Sequence, residues 1–444
     1  FVNNLLPEGN GLDAISIILQ ISKANKFGLL EAIGNETAGA LTFSSDNIVV
    51  TNFREISNEE LTERIMNKDN INITLWDGKI RLSLSGVQDK LPLVVLKDNK
   101  YGIGEGKIAS THILKFEKKD DIHLVLNEYF CMKLAKLCGL NVAEVEIRKF
   151  STQNVLFVKR FDREFFEIED TSFEIFKKHI IDGCQLLDLD VNMKYEKVYT
   201  DYRGNANFKN LFESSKLTTN KILTKLNLLK WTLFNLCINN FDAHAKNISF
   251  FVNKNGLELS PLYDLVNIDM YPQFHNNFAM AFGDEFDSKK IGAYDMVGFC
   301  VHIDIQPRLI KNEFKLIVNN IRKNIGIIKN DMLGLYSDNE IKFLEKLESK
   351  TNKLSFNLVV PSTQENVSEY KINGEISVKN EDKKTSASGE VTFNYSENEV
   401  TLNLSSDTEY GENLFSRKDV SNFVSENDIT VEELVQLTLE TGKH

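Results

Sequence analysis

The chain reads as an α+β protein with a two-lobed architecture: a mixed-sheet N-lobe, a helical C-lobe and a β-rich C-terminal appendage. Three observations lead there. Between Lys79 and Lys115, apolar positions alternate and the chain turns at glycines and at Asp98-Asn99, as strands and hairpins do. After about residue 166, apolar residues recur at three- and four-residue spacing, the helical period. Near residue 352 the composition shifts to Ser, Asn, Glu and Thr, with alternation by twos in Glu390–Tyr395 and Val400–Leu404.

Each element follows from a local signal. Leu12, Ile15, Ile18, Leu19, Leu29, Leu30 and Ile33 predict helix over 11–33, and Gly39–Phe43 predicts the start of a strand. Ser57 is placed to cap a short helix beginning at Asn58. Lys79 to Lys115 alternates and turns at Gly86, Asp98-Asn99 and Gly102 to Gly106, which predicts hairpins. Glu128–Leu137 predicts a helix stopped by Gly139, followed by strands at Ala143–Ile147 and Asn154–Lys159. Ile222–Ile238 is apolar nearly all round and predicts a buried central helix. Ile248–Val252 and Leu257–Leu262 predict a hairpin around Asn253–Gly256, with Asp264 ending its second strand. Residues 307–348 have the pattern of amphipathic helices, and the tail that of about four strands and a short helix at Val431–Leu439. The expected domains are 1–60, a partial N-terminal subdomain; 61–165, the N-lobe; 166–354, the C-lobe; and 355–444, a β-rich tail of unassigned role.

Composition narrows the function classes. Hydrophobic residues at 42% and charged residues at 26% are ordinary for a globular protein of 444 residues. With 64 acidic against 52 basic residues the net charge is −12, which argues against a nucleic-acid surface over the whole chain while leaving room for a local basic patch. No apolar run reaches the roughly 18 residues of a membrane-spanning helix. Cys131, Cys138, Cys184, Cys237 and Cys300 form no C-x-x-C pair, which predicts reduced core thiols of a cytoplasmic protein and no zinc site. Phe1–Pro7 lacks a basic stretch before an apolar run, so the chain is expected to begin mid-domain and not with a signal peptide.

The chemistry-bearing stretch is Asn240-Phe241-Asp242-Ala243-His244-Ala245-Lys246-Asn247, followed by Tyr263-Asp264. Phosphoryl transfer from ATP needs one carboxylate to orient the acceptor hydroxyl and take its proton, and an amide and a second carboxylate to hold Mg²⁺. The protein-kinase catalytic loop spaces its Asp and Asn with the same four residues between them. Alone, Asp242 reads more readily as a helix C-cap or loop carboxylate in a structural hydrogen bond, Asn247 as a turn residue and Asp264 as a strand-end residue. Lys115 ends a run of apolar strand residues, where an ammonium is costly unless it meets a charge. Glu128, thirteen residues on, is either its partner or a solvated helix charge.

Six strings in order carry a resemblance: Ser83–Lys90 (Ser-Leu-Ser-Gly-Val-Gln-Asp-Lys), Thr111–Lys115, Asn127–Tyr129, Arg160–Arg163, Asp242–Asn247 and Pro261–Asp264. Together they resemble the HipA family of bacterial toxin kinases. The resemblance runs from residue 1 to about 350, and none is found for 355–444. It implies a two-lobed protein-kinase-like fold, ATP and Mg²⁺ as cofactors, and transfer to protein serine or threonine. It assigns Asp242 as base, Asn247 and Asp264 as metal ligands, and Lys115 as the lysine of the α- and β-phosphates. Ser85, Gly86, Val87, Gln88, Asp89 and Lys90 would form the phosphate loop, with Ser83 or Ser85 as the autophosphorylated residue. Lys159 and Phe161 would meet adenine through their backbones and Asp162 the ribose, or Arg160, Asp162 and Arg163 form a surface salt-bridge cluster. His244 would brace the loop or touch phosphate, and Lys246 would contact the transferred phosphate.

The resemblance also implies partners: an aminoacyl-tRNA synthetase as substrate, a helix-turn-helix antitoxin, DNA only through that antitoxin, and no membrane. Two other readings stay open. One is an ATP-binding regulator or corepressor acting through an antitoxin complex. The other is a small-molecule phosphotransferase, which shares the Asp–Asn–Asp chemistry.

Overall fold

A computed structural model describes residues 2–34, 37–43, 51–81, 90–97, 100–117, 123–169, 172–197, 205–332 and 336–357, and the backbone of 368–380, 383–396 and 399–406. Ser83, Ser85, Gly86, Val87, Gln88 and Asp89 of the expected phosphate loop, and the expected helix at 431–439, lie outside the described residues. The chain divides into two compact units, 1–358 and 359–444.

The first unit opens with helices α1 (Gly9–Leu19) and α2 (Lys26–Ile33). They replace the single helix expected over 11–33, because Gln20 adopts a left-handed conformation and Asn25 caps the second helix through Gly28 N–H. Leu5, Leu6, Ile15, Leu29, Leu30 and Ile33 form their own small core. The strand expected from Gly39 is absent from 37–43. That backbone is a loop, and its carbonyls at Thr37 and Gly39 accept from arginines instead of a neighbouring strand.

Next come β1 (Asn52–Ile56), α3 (Asn58–Met66), β2 (Leu75–Trp76), β3 (Lys79–Ile80), β4 (Lys90–Val95), β5 (Tyr101–Glu105), β6 (His112–Phe116), α4 (Leu124–Leu137), β7 (Val145–Phe150) and β8 (Gln153–Lys159). Ser57 caps α3 by accepting from Glu60 N–H, as expected from the sequence. Six of these strands form one sheet in the order β1-β5-β4-β6-β8-β7, each pair antiparallel. Trp76, Phe116, Phe157, Leu91 and Leu114 fill the core beneath it. Glu117 accepts from Leu124 N–H and Val125 N–H, satisfying two donors that the first turn of α4 leaves open.

Strands continue where the helical period was expected to take over: β9 (Arg163–Glu169) and β10 (Ser172–Lys177) form a hairpin, and β11 (Ile180–Asp182) pairs with a later strand. Then come α5 (Gly183–Leu186), α6 (Phe208–Glu213) and α7 (Lys221–Cys237). Asn220 caps α7, which is buried from Leu228 onward at nearly every residue. Its first turn departs from the expectation of a wholly buried helix, with Ile222 81% exposed. Strands β12 (Ser249–Asn253) and β13 (Gly256–Leu259) form the expected hairpin and β14 (Asn277–Phe282) and β15 (Glu285–Asp287) another. Asp264 lies five residues beyond β13, because Pro261 has no N–H to continue the ladder. Helices α8 (Ala293–Ile303), α9 (Pro307–Met332) and α10 (Asp338–Asn357) close the C-lobe. Ile310, Ile317, Ile321, Ile325 and Ile328 line the buried stripe of α9 against a core shared with α4 and α7. All five cysteines are buried and free, and burial pushes the Cys138 thiol up to about 12. Among the described residues, no helix is long and apolar enough to cross a membrane.

The second unit contains β16 (Ser368–Asn380), β17 (Lys383–Ser396) and β18 (Glu399–Ser406) as an antiparallel sheet. Three strands are described where about four were expected.

Candidate active site

A cavity of about 470 Å³ is lined from the N-lobe by Lys90, Ile113, Lys115, Glu128, Val158 and Phe161 and from the C-lobe by Asp242, Asn247 and Asp264. The catalytic-loop residues converge because the turn after α7 is closed by its own side chains. Asn240 donates to Asn235 Oδ1 at 2.8 Å and to the Asp264 carbonyl at 3.3 Å, and its own Oδ1 accepts from Asp242 N–H. The loop therefore carries Asp264 with it, although the two lie 24 residues apart. Asp264 sits at φ 60°, a left-handed conformation that Asp tolerates better than bulky residues.

The Asp242 side chain is half exposed, and its Oδ1 accepts from Tyr195 Oη at 2.5 Å. Asn247 Nδ2 donates to the Asp242 carbonyl at 2.7 Å. A carbonyl can only accept, so the amide nitrogen is committed and the amide oxygen is left for another ligand. Lys115 Nζ lies 2.6 Å from Glu128 and 2.5 Å from Asp264. Burial opposes the Lys115 charge, but the two carboxylates outweigh it and raise its proton affinity. Asp264 is partly buried, with its side chain 28% exposed; burial opposes its ionisation, yet Lys115 and Lys90 hold its carboxyl well below the usual range.

Lys90 stands opposite Lys115 on the adjacent strand. Burial and the Lys115 charge lower the Lys90 pKa. Two ammoniums facing each other are destabilising unless anions meet them. Lys90, Lys115, Glu128 and Asp264 sum to zero charge, so a polyanion entering here must bring its own cations. The Asn247 oxygen and the Asp264 carboxylate are hard oxygen donors of the kind Mg²⁺ takes, and Mg²⁺ is commonly bound by one or two protein oxygens with substrate phosphates completing the shell. Among the described residues no cluster of three or more His, Cys, Asp or Glu could hold a metal by itself.

Several expected site residues also have internal partners. Lys246 lines the cavity, and its buried ammonium binds Asp182 at 2.7 Å and the Asn4 carbonyl at 3.0 Å. His244 is buried and packs edge-on against Tyr195, with its ring 3.9 Å from Asp242 Oδ1. Burial lowers its pKa. Asp162 is 4% exposed and is no surface residue. Its oxygens accept from Arg160, Arg163 and Gly39 N–H, and those arginines bind the Thr37 carbonyl. Asp162 therefore ties the strand connection to the N-terminal segment, with its pKa lowered to about 2: burial opposes ionisation but the two guanidinia prevail. Asp162→Ala removes the carboxylate balancing two buried cations and is expected to cost about 3–5 kcal/mol of stability, read by urea unfolding. At the strand connection Lys159 N–H pairs with the Glu144 carbonyl, and Phe161 packs against Phe251 and Tyr263.

Sequence reading missed Tyr195, Glu8, Asn4 and Asp182. Glu8 pairs with Lys194 at 2.7 Å, and both line the cavity. Gly183 allows the Asp182 segment to approach the catalytic loop, since a Cβ there would lie 2.4 Å from the Ala245 carbonyl. No local pattern marks these residues. Their role arises only from contacts across 47 to 242 positions of chain.

Comparison with known proteins agrees with this geometry. Residues 82–325, more than half of the chain, match the HipA-like C-terminal domain, and residues 1–44 match the HipA N-terminal domain. The serine/threonine-protein kinase toxin HipA of Shewanella oneidensis is 40% identical over 334 residues, covering 73% of this chain and 76% of that protein. The solved complex of Shewanella oneidensis HipA, HipB and operator DNA superposes with a TM-score of 0.72 at 37% identity, covering 81% of this chain and 84% of that one. With both domain matches and a 40% identical relative covered over three quarters of its length, the chain belongs to the HipA family of serine/threonine-protein kinases.

Proposed function

We propose that the chain transfers the γ-phosphate of ATP, with Mg²⁺, to a serine or threonine hydroxyl of a protein, and that Asp242 is the base. The observation that carries this reading is the joint placement of Asp242, Asn247, Asp264 and the Lys115–Glu128 pair around one cavity. Asn247 and Asp264 would hold Mg²⁺, which supplies neutralisation of the phosphate charge. Lys115 and Lys90 would meet the phosphates, and the Lys159 carbonyl and Phe161 N–H the adenine edge. Asp242 orients the acceptor hydroxyl and takes its proton. As that oxygen bonds to the γ-phosphorus, the bond from phosphorus to the β–γ bridging oxygen breaks and ADP leaves.

The remaining family properties extend this reading. We infer a substrate among the proteins of translation, an aminoacyl-tRNA synthetase first, and an antitoxin partner of the kind seen with the Shewanella protein. Autophosphorylation would fall on Ser83 or Ser85. A phosphate there adds nearly two negative charges to an ATP site and would oppose nucleotide binding.

The test is label transfer from γ-labelled and α-labelled ATP in the presence of Mg²⁺ and a translation extract. Label from the γ position alone, recovered in acid-precipitable protein, is the expected result. Label recovered only in a small molecule would replace this reading with a metabolite phosphotransferase. Nucleotide binding with no transfer would favour the regulator.

A further inference from the structure

We propose that Tyr195 is a positioning residue for the catalytic base: its hydroxyl holds Asp242 Oδ1 and so leaves Oδ2 for the acceptor hydroxyl. The inference rests on the reading of Asp242 as base and goes beyond it in assigning a residue to hold it.

The hydrogen bond is 2.5 Å long, in the range of charge-assisted O–H···O⁻ pairs. Burial and the adjacent Asp242 carboxylate both raise the Tyr195 pKa, so the phenol keeps its proton and acts only as donor. An exposed carboxylate on a loop would otherwise rotate freely, and one oxygen held by a fixed donor selects a single orientation.

Tyr195 is itself fixed. Its ring lies edge-on to buried His244, with ring centroids 5.0 Å apart. The preceding carbonyl, of Lys194, accepts from Ala245 N–H within the catalytic loop, and the Lys194 ammonium pairs with Glu8. The following residue, Glu196, is anchored to β14 twice: its N–H donates to the Ala279 carbonyl at 2.9 Å and its carboxylate accepts from Ala281 N–H at 2.7 Å. Asn205 donates to its carbonyl. A tyrosine clamped on both sides and bonded to the one half-exposed carboxylate of the catalytic loop is arranged to orient that carboxylate.

The experiment compares wild type, Tyr195→Phe, Asp242→Asn and the double variant in the full chain. The readouts are single-turnover transfer rate, KM for ATP, direct ATP binding and melting temperature. Tyr195→Phe keeps the ring and its packing. It is expected to lower the transfer rate by roughly 10-fold or more, the scale of a misoriented base, with KM and binding of ATP unchanged. On the Asp242→Asn background the same change is expected to have no further effect, because the group it positions is gone. An unchanged or raised rate in Tyr195→Phe overturns the proposal, as does a parallel fall in ATP binding and melting temperature, or full additivity with Asp242→Asn. If Asp242→Asn alone keeps wild-type transfer, the assignment of the base has failed, and the role of Tyr195 fails with it.

Discussion

Asp242→Asn lowers phosphoryl transfer by on the order of 10²- to 10⁴-fold, the usual contribution of a positioned general base, and leaves the fold intact. The change keeps volume and removes charge. The side chain is half exposed, so losing its charge costs little stability, and an amide oxygen in place of Oδ1 still accepts from Tyr195. The loop keeps its shape because its closing bonds come from Asn240 and from the Asp242 backbone carbonyl, which accepts from Asn247. Initial rates with γ-labelled ATP beside a thermal melt measure both halves. A variant that loses activity together with its melting transition would show Asp242 to be structural.

Lys115→Met has an effect of comparable size through a different cause. The methionine fills the same strand position between two carboxylates and pairs with neither. Glu128, whose side chain is 2% exposed, then lies in the interior without its ammonium. Removing one partner of a buried pair costs about 3–5 kcal/mol, so the melting temperature falls as well as ATP affinity. Adding Glu128→Leu removes the stranded carboxylate. The double variant is expected to regain much of the lost stability and none of the transfer activity, because the phosphates still lack the lysine. Recovery of activity in the double variant would show that Lys115 serves packing alone.

What could be read from the sequence was what the chain states locally. Asp242 and Asn247 lie five residues apart on one loop, and the lysine and glutamate of the buried pair lie thirteen apart on a strand and the next helix. The β9–β10 hairpin escaped notice because Phe165 and Phe166 are adjacent and both about 42% exposed, so neither face is fully buried and no period of two arises. Gly39–Phe43 points in the other direction: its apolar run predicts a strand, but the Gly39 carbonyl is taken by Arg163 and the Leu41 carbonyl by the Thr37 hydroxyl. Tyr195 and Glu8 were invisible because a tertiary fold, and no spacing, brings them to the loop. The resemblance assigns Lys246 and Asp162 to ligand contacts; both line the cavity, and each also has an internal partner that no spacing in the sequence announces.

The central claim is that this cleft transfers phosphate from ATP to protein by way of Asp242. Intact mass and peptide mapping of wild-type and Asp242→Asn protein after incubation with ATP and Mg²⁺ test it most directly. The account predicts a phosphate on a peptide containing Ser83 or Ser85 in the wild type and none in the variant. Equal phosphate on both proteins, or failure of the wild type to bind ATP at all, would contradict it.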